Sequence, residues 1–371
     1  MSRLSLTRTI INSGRRTSEY IGNSLLQYNI HFLVDSLMST MDKTSKFSET
    51  NRPKILVSNP TVPQVAFDLL EEYCIVTKAE DDTREDILAK VKGVDAIFWA
   101  THLKLDKEIL EAAGPQMKTV GTMSAGYDHI DVEELKKRGI KLANTPEVLN
   151  PAVADIAVLL TLAASRRLHE GRLALENGQW SPKWDARGML GQDIIGSTVG
   201  IVGLGGIGQA IVQRLKAFNV GQFIYTGHRE KEEGKKLGAK FVSLDTLIKE
   251  SDIVIVSCPL TSETKHMFNA ELFSKMKKTS VFVNISRGAI VDQEALVKAL
   301  KEGQIFAAGL DVMTPEPLPP TDELLKLPNA VILPHLGSAT KQTRDAMAQL
   351  TATNILRGIG DEEMFTPVYE I

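Results

Sequence analysis

Cysteine is nearly absent from this chain: of 371 residues only Cys74 and Cys258 carry thiols. Two thiols cannot build a disulfide framework or a zinc cage. No metal is therefore expected, and a reducing compartment, the cytoplasm, is the default. A surplus of charge is missing too. The 43 Lys and Arg nearly balance the 46 Asp and Glu, for a net charge of −3, and no basic stripe stands out. A nucleic-acid or membrane-surface partner normally calls for such a surplus, so neither is expected. Long apolar runs are lacking as well. The longest, Val153 to Ala164, is interrupted by Asp155 and falls short of the ~20 residues that cross a bilayer. What is present, 43% hydrophobic and 24% charged residues, is ordinary globular composition. The length allows two or three domains, each with its own core.

The first fifty residues differ from the rest of the chain. Up to Ile30 they hold Arg3, Arg8, Arg15 and Arg16, several serines and Glu19 as the one acid. That is the balance of a mitochondrial transit peptide and equally of a disordered extension. Met41 offers an alternative start. Residues 1–50 are therefore set outside the fold, and the mitochondrion stands as the alternative to the cytoplasm.

From Pro53 onward short apolar runs alternate with amphipathic stretches, the signature of βα units on a parallel sheet. Strands are expected at 54–58, 96–100, 118–123 and 140–143, with helices at 65–73, 84–91, 106–113 and 132–138 between them. A long helix over 152–168, opened by Pro151, leads to further strands at 198–202, 223–226, 241–243, 253–257, 280–285, 307–310 and 331–333. The fold expected is α/β with two Rossmann-like parallel-sheet domains. Residues 51–150 would form a flavodoxin-like substrate domain and residues 151–335 a dinucleotide-binding domain, with a cleft between them. A last helical run, 341–356, would return the tail, 336–371, to the first domain, so that two chain crossings act as a hinge.

The glycine pattern Gly203-x-Gly205-x-x-Gly208 is weak evidence alone. Here it follows the apolar strand 198–202 and opens a helix at 207–217, the context of a dinucleotide fingerprint. Gly203 permits the tight turn, Gly205 lets backbone approach a pyrophosphate, and Gly208 lets helix and strand pack. Leu204, Gly206 and Ile207 complete the loop, whose free N–H groups and positive helix end suit phosphates. The acid that normally follows about 20 residues later to hold ribose hydroxyls is missing. Gly227, His228 and Arg229 stand there instead, and arginine pairs with a 2′-phosphate that a carboxylate would repel. NADPH is expected, with NADH the alternative.

Several segments, in order, carry a family resemblance: Gly203–Gly208 (GLGGIG), Pro259–Thr264 (PLTSET), Asn284–Gly288 (NISRG) with Val291 and Asp292, Gly309–Asp311 with Glu316 and Pro317, and Pro334 with His335. Together they resemble the D-isomer-specific 2-hydroxyacid dehydrogenases over residues 53–371, and within that family the branch that reduces glyoxylate and hydroxypyruvate to glycolate and D-glycerate. Gly206 departs from the arginine or lysine usual at its place. The resemblance implies that Arg287 binds the substrate's carboxylate or keto oxygen, which suits its planar fork. His335 would donate the proton, and Glu316 would orient the imidazole. Pro259, Ile285, Asp311 and Gly337 would join the cofactor site, with Asp311 near the nicotinamide ribose. Ala125 and Gly126 would offer backbone N–H groups to the substrate's acid end, and Ser338 would lie against the substrate. Trp99 to His102 would line the same cleft. Trp180 and Trp184 read either as core aromatics or as part of an arm reaching a second subunit, hence an expected homodimer. The rival readings are another dehydrogenase of the family, or a dinucleotide-sensing corepressor on the same scaffold.

Overall fold

The computed structural model describes residues 51–183 and 185–370. Expectations for the first fifty residues and for Trp184 lie outside the described residues, and the described residues from Arg52 onward form one compact unit. Its first half alternates strands and helices: β1 (Lys54–Val57), α1 (Gln64–Tyr73), β2 (Ile75–Lys78), α2 (Arg84–Lys90), β3 (Ala96–Trp99), α3 (Lys107–Ala113), β4 (Thr119–Thr122), α4 (Val132–Lys137) and β5 (Lys141–Ala143). The five strands are parallel in the order β2-β1-β3-β4-β5. Strands β3 and β4 are buried along their whole length, as expected of strands covered by helices on both faces. Local chemistry starts the helices. Thr83, Asp106 and Asp131 each accept a hydrogen bond from an N–H of the first turn, which satisfies a donor that would otherwise lack a partner.

Two helices, α5 (Asn150–Ser165) and α6 (Leu168–Glu176), lead to β6 (Thr198–Val202), α7 (Gly206–Leu215), β7 (Gln222–Thr226), α8 (Glu232–Lys236), β8 (Ala239–Phe241), α9 (Leu244–Glu250), β9 (Ile253–Val256), α10 (Ala270–Ser274), β10 (Val281–Asn284), α11 (Gln293–Lys301), β11 (Ala307–Leu310) and β12 (Ala330–Ile332). These strands form a parallel seven-stranded sheet in the order β12-β11-β10-β9-β6-β7-β8. The order reverses beside β6, opening a crevice at the carboxyl ends of β6 and β9, where such sheets take ligands. The final helix, α12 (Lys341–Ile359), packs against α1, β3, β4 and β5. It lies close enough that a Cβ on Gly121 would come within 3 Å of Thr351 and Ile355. The chain end then joins the first sheet: Pro367 bridges Ala143 antiparallel, and Thr366 Oγ1 donates to Asn144 O at 2.6 Å.

Three expectations need correction. The single helix over 152–168 is two, because the Gln192 N–H takes the Ser165 carbonyl at 2.8 Å and Arg167 adopts a left-handed φ of 54°. Strand β2 has no counterpart among the expected strands: it is four residues, mostly exposed, following α1 after Cys74 with no turn signal. The strand expected at 241–243 lies at 239–241, since Ser243 caps α9 by accepting from Thr246 N. Both cysteines are buried and free, and burial pushes their thiols up to about 12 and about 11, so neither is a reactive thiolate. No helix among the described residues is long and apolar enough to cross a membrane.

Candidate active site

The carboxyl ends of both sheets supply the side chains that meet in one cleft. From the seven-stranded sheet comes His335, three residues after β12. Its N–H reaches the Asp311 carbonyl at 2.9 Å, and its φ of 53° lies in the left-handed region, a conformation that costs energy in a non-glycine residue and tends to occur at functional sites. Asp311 holds the next turn as well, with one carboxylate oxygen accepting from Leu336 N at 2.7 Å and the other from Gly337 N at 2.8 Å. Burial pushes the Asp311 carboxyl up, against the pull of those two N–H groups and of His335. At 1% exposure its carboxylate is committed inside the protein, so its visible work is to fix the His335 backbone.

The imidazole of His335 faces Glu316, with Nδ1 to Oε2 at 2.8 Å. The other carboxylate oxygen accepts from Met313 N at 3.0 Å. Burial pushes the Glu316 carboxyl up, but the hydrogen bond and charge of His335, the Met313 N–H and nearby His102 outweigh it and leave it below the usual carboxylate range. A carboxylate only accepts, so Nδ1 carries the proton that it receives. The opposite ring nitrogen, Nε2, is left for a ligand.

Arg287 follows β10, where its neighbours are tied down. Asn284 Nδ2 donates to the Arg287 carbonyl at 2.9 Å, and Ser286 Oγ donates to Cys258 O. The guanidinium crosses the cleft to the loop after β4. Its Nε donates to Asp128 Oδ1 at 3.0 Å, Nη1 to the Ser286 carbonyl at 2.9 Å, and Nη2 presses on Gly126, where a Cβ would overlap it. In that loop the carbonyls are tied back, Ala125 O by Asn144 Nδ2 at 2.7 Å and Gly126 O by Ser124 Oγ at 2.6 Å. The N–H groups of Ala125 and Gly126 donate to no acceptor among the described residues, which leaves two unpartnered backbone donors beside Arg287.

Two histidines of the first half complete the cleft. The His102 ring lies 5.7 Å from that of His335. His129, behind the loop, has its imidazole pushed down to about 4 by burial, against the pull of Asp128 and with the help of Arg287 and His102. Of the stretch expected to line the cleft, Trp99 to His102, His102 lies beside His335, but Trp99 is fully buried in the core of the first half. Asp128 and His129 were legible only as part of a loop, because their partners are distant in sequence.

The crevice between β6 and β9 fits a dinucleotide. Gly203 has φ 97°, and a Cβ there would crowd the Cys258 backbone. At Gly208 a Cβ would overlap Gly203 O. A Cβ on Gly205 would meet open space, and the N–H groups of Gly205, Gly206 and Ile207 have no acceptor among the described residues, as phosphates require. Leu204 is buried, so only its backbone reaches the loop surface. Pro259 is exposed after β9, and Ile285 is buried after β10. A side chain at Gly206 would strike Asn150. The positive charge found near this loop is instead Lys231, whose Nζ donates to Leu204 O at 3.0 Å. Gly227, His228 and Arg229 are exposed after β7, and Ser338 is half-buried with no side-chain hydrogen bond to the described residues. Trp180 is no core aromatic: it is 78% exposed.

Comparison with known proteins agrees with this architecture. The profile of the D-isomer specific 2-hydroxyacid dehydrogenase NAD binding domain matches residues 158–337. Glyoxylate reductase/hydroxypyruvate reductase of Mus musculus is 48% identical over 282 residues, 76% of this chain and 86% of that protein. Glyoxylate reductase of Pyrococcus horikoshii is 43% identical over 311 residues, 82% of this chain and 92% of that protein. Among solved structures, the NADPH-dependent glyoxylate/hydroxypyruvate reductase of Sinorhizobium meliloti, in complex with NADP and malonate, superposes with a TM-score of 0.76 at 34% identity. It covers 85% of this chain and 97% of that one.

Proposed function

Since this chain belongs to the D-isomer specific 2-hydroxyacid dehydrogenases and is an NAD(P)-dependent oxidoreductase, we propose that it reduces glyoxylate or hydroxypyruvate to glycolate or D-glycerate, with NADPH as the preferred reductant. The observation that carries the reading is the His335–Glu316 pair, 2.8 Å apart, set opposite Arg287 and the free N–H groups of Ala125 and Gly126. A 2-keto acid has one carboxylate and one carbonyl oxygen, and the cleft holds one group of donors for each. When bound between β6 and β9, the reduced nicotinamide supplies the hydride.

The chain's own residues do the rest. Gly205, Gly206 and Ile207 present N–H groups to the pyrophosphate, and Pro259 and Ile285 flank the nicotinamide end. Ala125, Gly126 and Arg287 hold the substrate's carboxylate, with Ser338 beside the substrate. As negative charge grows on the carbonyl oxygen, Nε2 of His335 gives its proton to that oxygen. Glu316 holds the ring at Nδ1 and stabilises the imidazolium that precedes transfer. Preference for the 2′-phosphate rests on Arg229 and His228, where no acid stands to repel it. Residues 51–150 with 336–371 act as the substrate domain and 151–335 as the cofactor domain. The two chain crossings let them close and exclude water.

Dimer formation is part of the same reading. The segment around α6 exposes Leu168, Leu175, Trp180, Leu190 and Ile195. An apolar surface of that extent suits a symmetric interface with a second copy. The test of function is the absorbance decay of NADPH with purified protein and each keto acid. Turnover of about 1 per second or more, in the ordinary enzyme range, supports the reading. Inactivity on every small 2-keto acid overturns it.

A further inference from the structure

The geometry points to Asp128 as a positioning residue: it sets the angle at which Arg287 meets a bound carboxylate, by occupying the guanidinium's Nε and leaving its Nη2 end to the ligand. This rests on the reading of Arg287 as the substrate's cation, and adds a residue that acts through it.

The two residues come from different halves of the molecule. Asp128 lies on the loop after β4 and Arg287 on the loop after β10, and they meet at 3.0 Å as an ion pair with both side chains roughly three-quarters shielded. An arginine has two ways to grip a carboxylate with paired donors, side-on through Nε and one Nη, or end-on through both Nη groups. Asp128 takes the Nε–H, so the side-on grip is closed. The Ser286 carbonyl takes one Nη1 hydrogen. What remains points at Gly126, whose lack of a Cβ lets Nη2 lie directly over the loop, next to the unpartnered N–H groups of Ala125 and Gly126. The remaining donors therefore converge on one small patch, where a carboxylate can receive arginine and backbone hydrogen bonds together.

The surroundings keep Asp128 at this task. The neighbouring imidazole of His129 is half-buried and held neutral, so it does not compete as a cation for the carboxylate. Arg287 has no other acid: among the described residues Asp128 is its one ion-pair partner. Without Asp128 the arginine keeps its charge but loses the contact that fixes the plane of its fork, and an unfixed side chain must be ordered when the ligand binds, at an entropic cost.

The test compares Asp128→Ala with Asp128→Asn, since the asparagine Oδ1 can accept the same bond from Nε. Four quantities are measured: kcat and KM for hydroxypyruvate, the dissociation constant of oxalate by calorimetry, and the dissociation constant of NADPH. We expect Asp128→Ala to raise KM and weaken oxalate about tenfold each and to lower kcat about tenfold, with NADPH binding as in the parent. Asp128→Asn should recover all three losses to within about threefold. An Asn variant as impaired as Ala, an Ala variant equal to the parent, or NADPH binding weakened in step with oxalate overturns the assignment. Should the Ala protein fail to fold, the Asn variant decides alone: oxalate affinity within threefold of the parent sustains the proposal, and a tenfold loss overturns it. Oxalate binding needs no turnover. A parent inactive on keto acids therefore sinks the proposed reaction, while the oxalate ratio still judges Asp128.

Discussion

The two ends of the cleft are built differently. At the reacting end almost every functional group is already held by another part of the chain: His335 by Glu316 and Asp311, Arg287 by Asp128 and Ser286, the Ala125–Gly126 loop by Asn144 and Ser124. At the far end, beyond β7, His228 and Arg229 are exposed, with no side-chain partner among the described residues. Preorganised donors act at full strength when charge develops, because nothing needs to move. Exposed, unrestrained charges are screened by salt and must be ordered on binding. On the proposed reading the reacting groups are thus committed to one geometry, while the charges beyond β7 are adjustable at small cost.

The sharpest way to break that contrast is His335→Ala. We expect kcat to fall about 100- to 10,000-fold, the usual worth of a general acid, while NADPH still binds at the glycine loop. Turnover near that of the parent, with chemistry shown to limit the rate, would remove His335 from the role. Next in size is Arg287→Lys. Lysine keeps the charge but cannot reproduce the planar fork that gives Nε to Asp128 and Nη1 to Ser286 and leaves Nη2 for the ligand. Both KM and kcat should therefore worsen, by about 10- to 100-fold in kcat/KM, the range of a charge-assisted hydrogen bond. Equal constants for mutant and parent would contradict the geometry.

At the open end the effects should shrink. Arg229→Ala should cut the ratio of kcat/KM for NADPH over NADH by about tenfold at low salt and by less at high salt, since an exposed charge is screened. A parent that prefers NADH, or a ratio indifferent to both mutation and salt, would make these residues a solvated turn.

A separate effect falls on stability. His129 is held neutral, its value pushed from 6.5 down to about 4 by burial. A half-buried histidine held neutral stabilises the fold fully above about pH 6.5 and loses that contribution as pH falls toward 4, on the order of 3 kcal/mol at the extreme. His129→Gln should flatten the fall of Tm between pH 6.5 and 4. Identical slopes in the two proteins would place the acid sensitivity elsewhere, among the carboxylates.

Much of this was legible in the sequence because it is local. The glycine loop announces itself by following an apolar strand and opening a helix, and Arg287, Glu316 and His335 stand within short runs that together, in order, resemble one family. Strands buried on both faces, such as β3 and β9, read as continuous apolar runs. What escaped was set at long range. The break after Ser165 depends on Gln192 taking a carbonyl. The Asp128–Arg287 pair joins residues 159 apart, and Lys231 reaches a loop 27 residues behind it. Trp99 was misplaced because a residue at the end of a strand can turn either into the cleft or into the core, and periodicity alone does not say which.

The return of α12 to the first sheet also bears on how the chain is made. Synthesis delivers β1 to β5 first, yet the face of β4 that α12 covers must wait for the final stretch of chain, and Thr366 closes onto Asn144 across a separation of 222 residues. The half that leaves the ribosome first is therefore the half completed last. Contacts between such distant residues slow folding and leave apolar surface bare in the interval, so the seven-stranded half should reach its native form earlier. Chains stopped at residue 340 should then show protease-resistant β6–β12 beside a digestible 52–143, and equal resistance of the two segments would contradict this order of assembly.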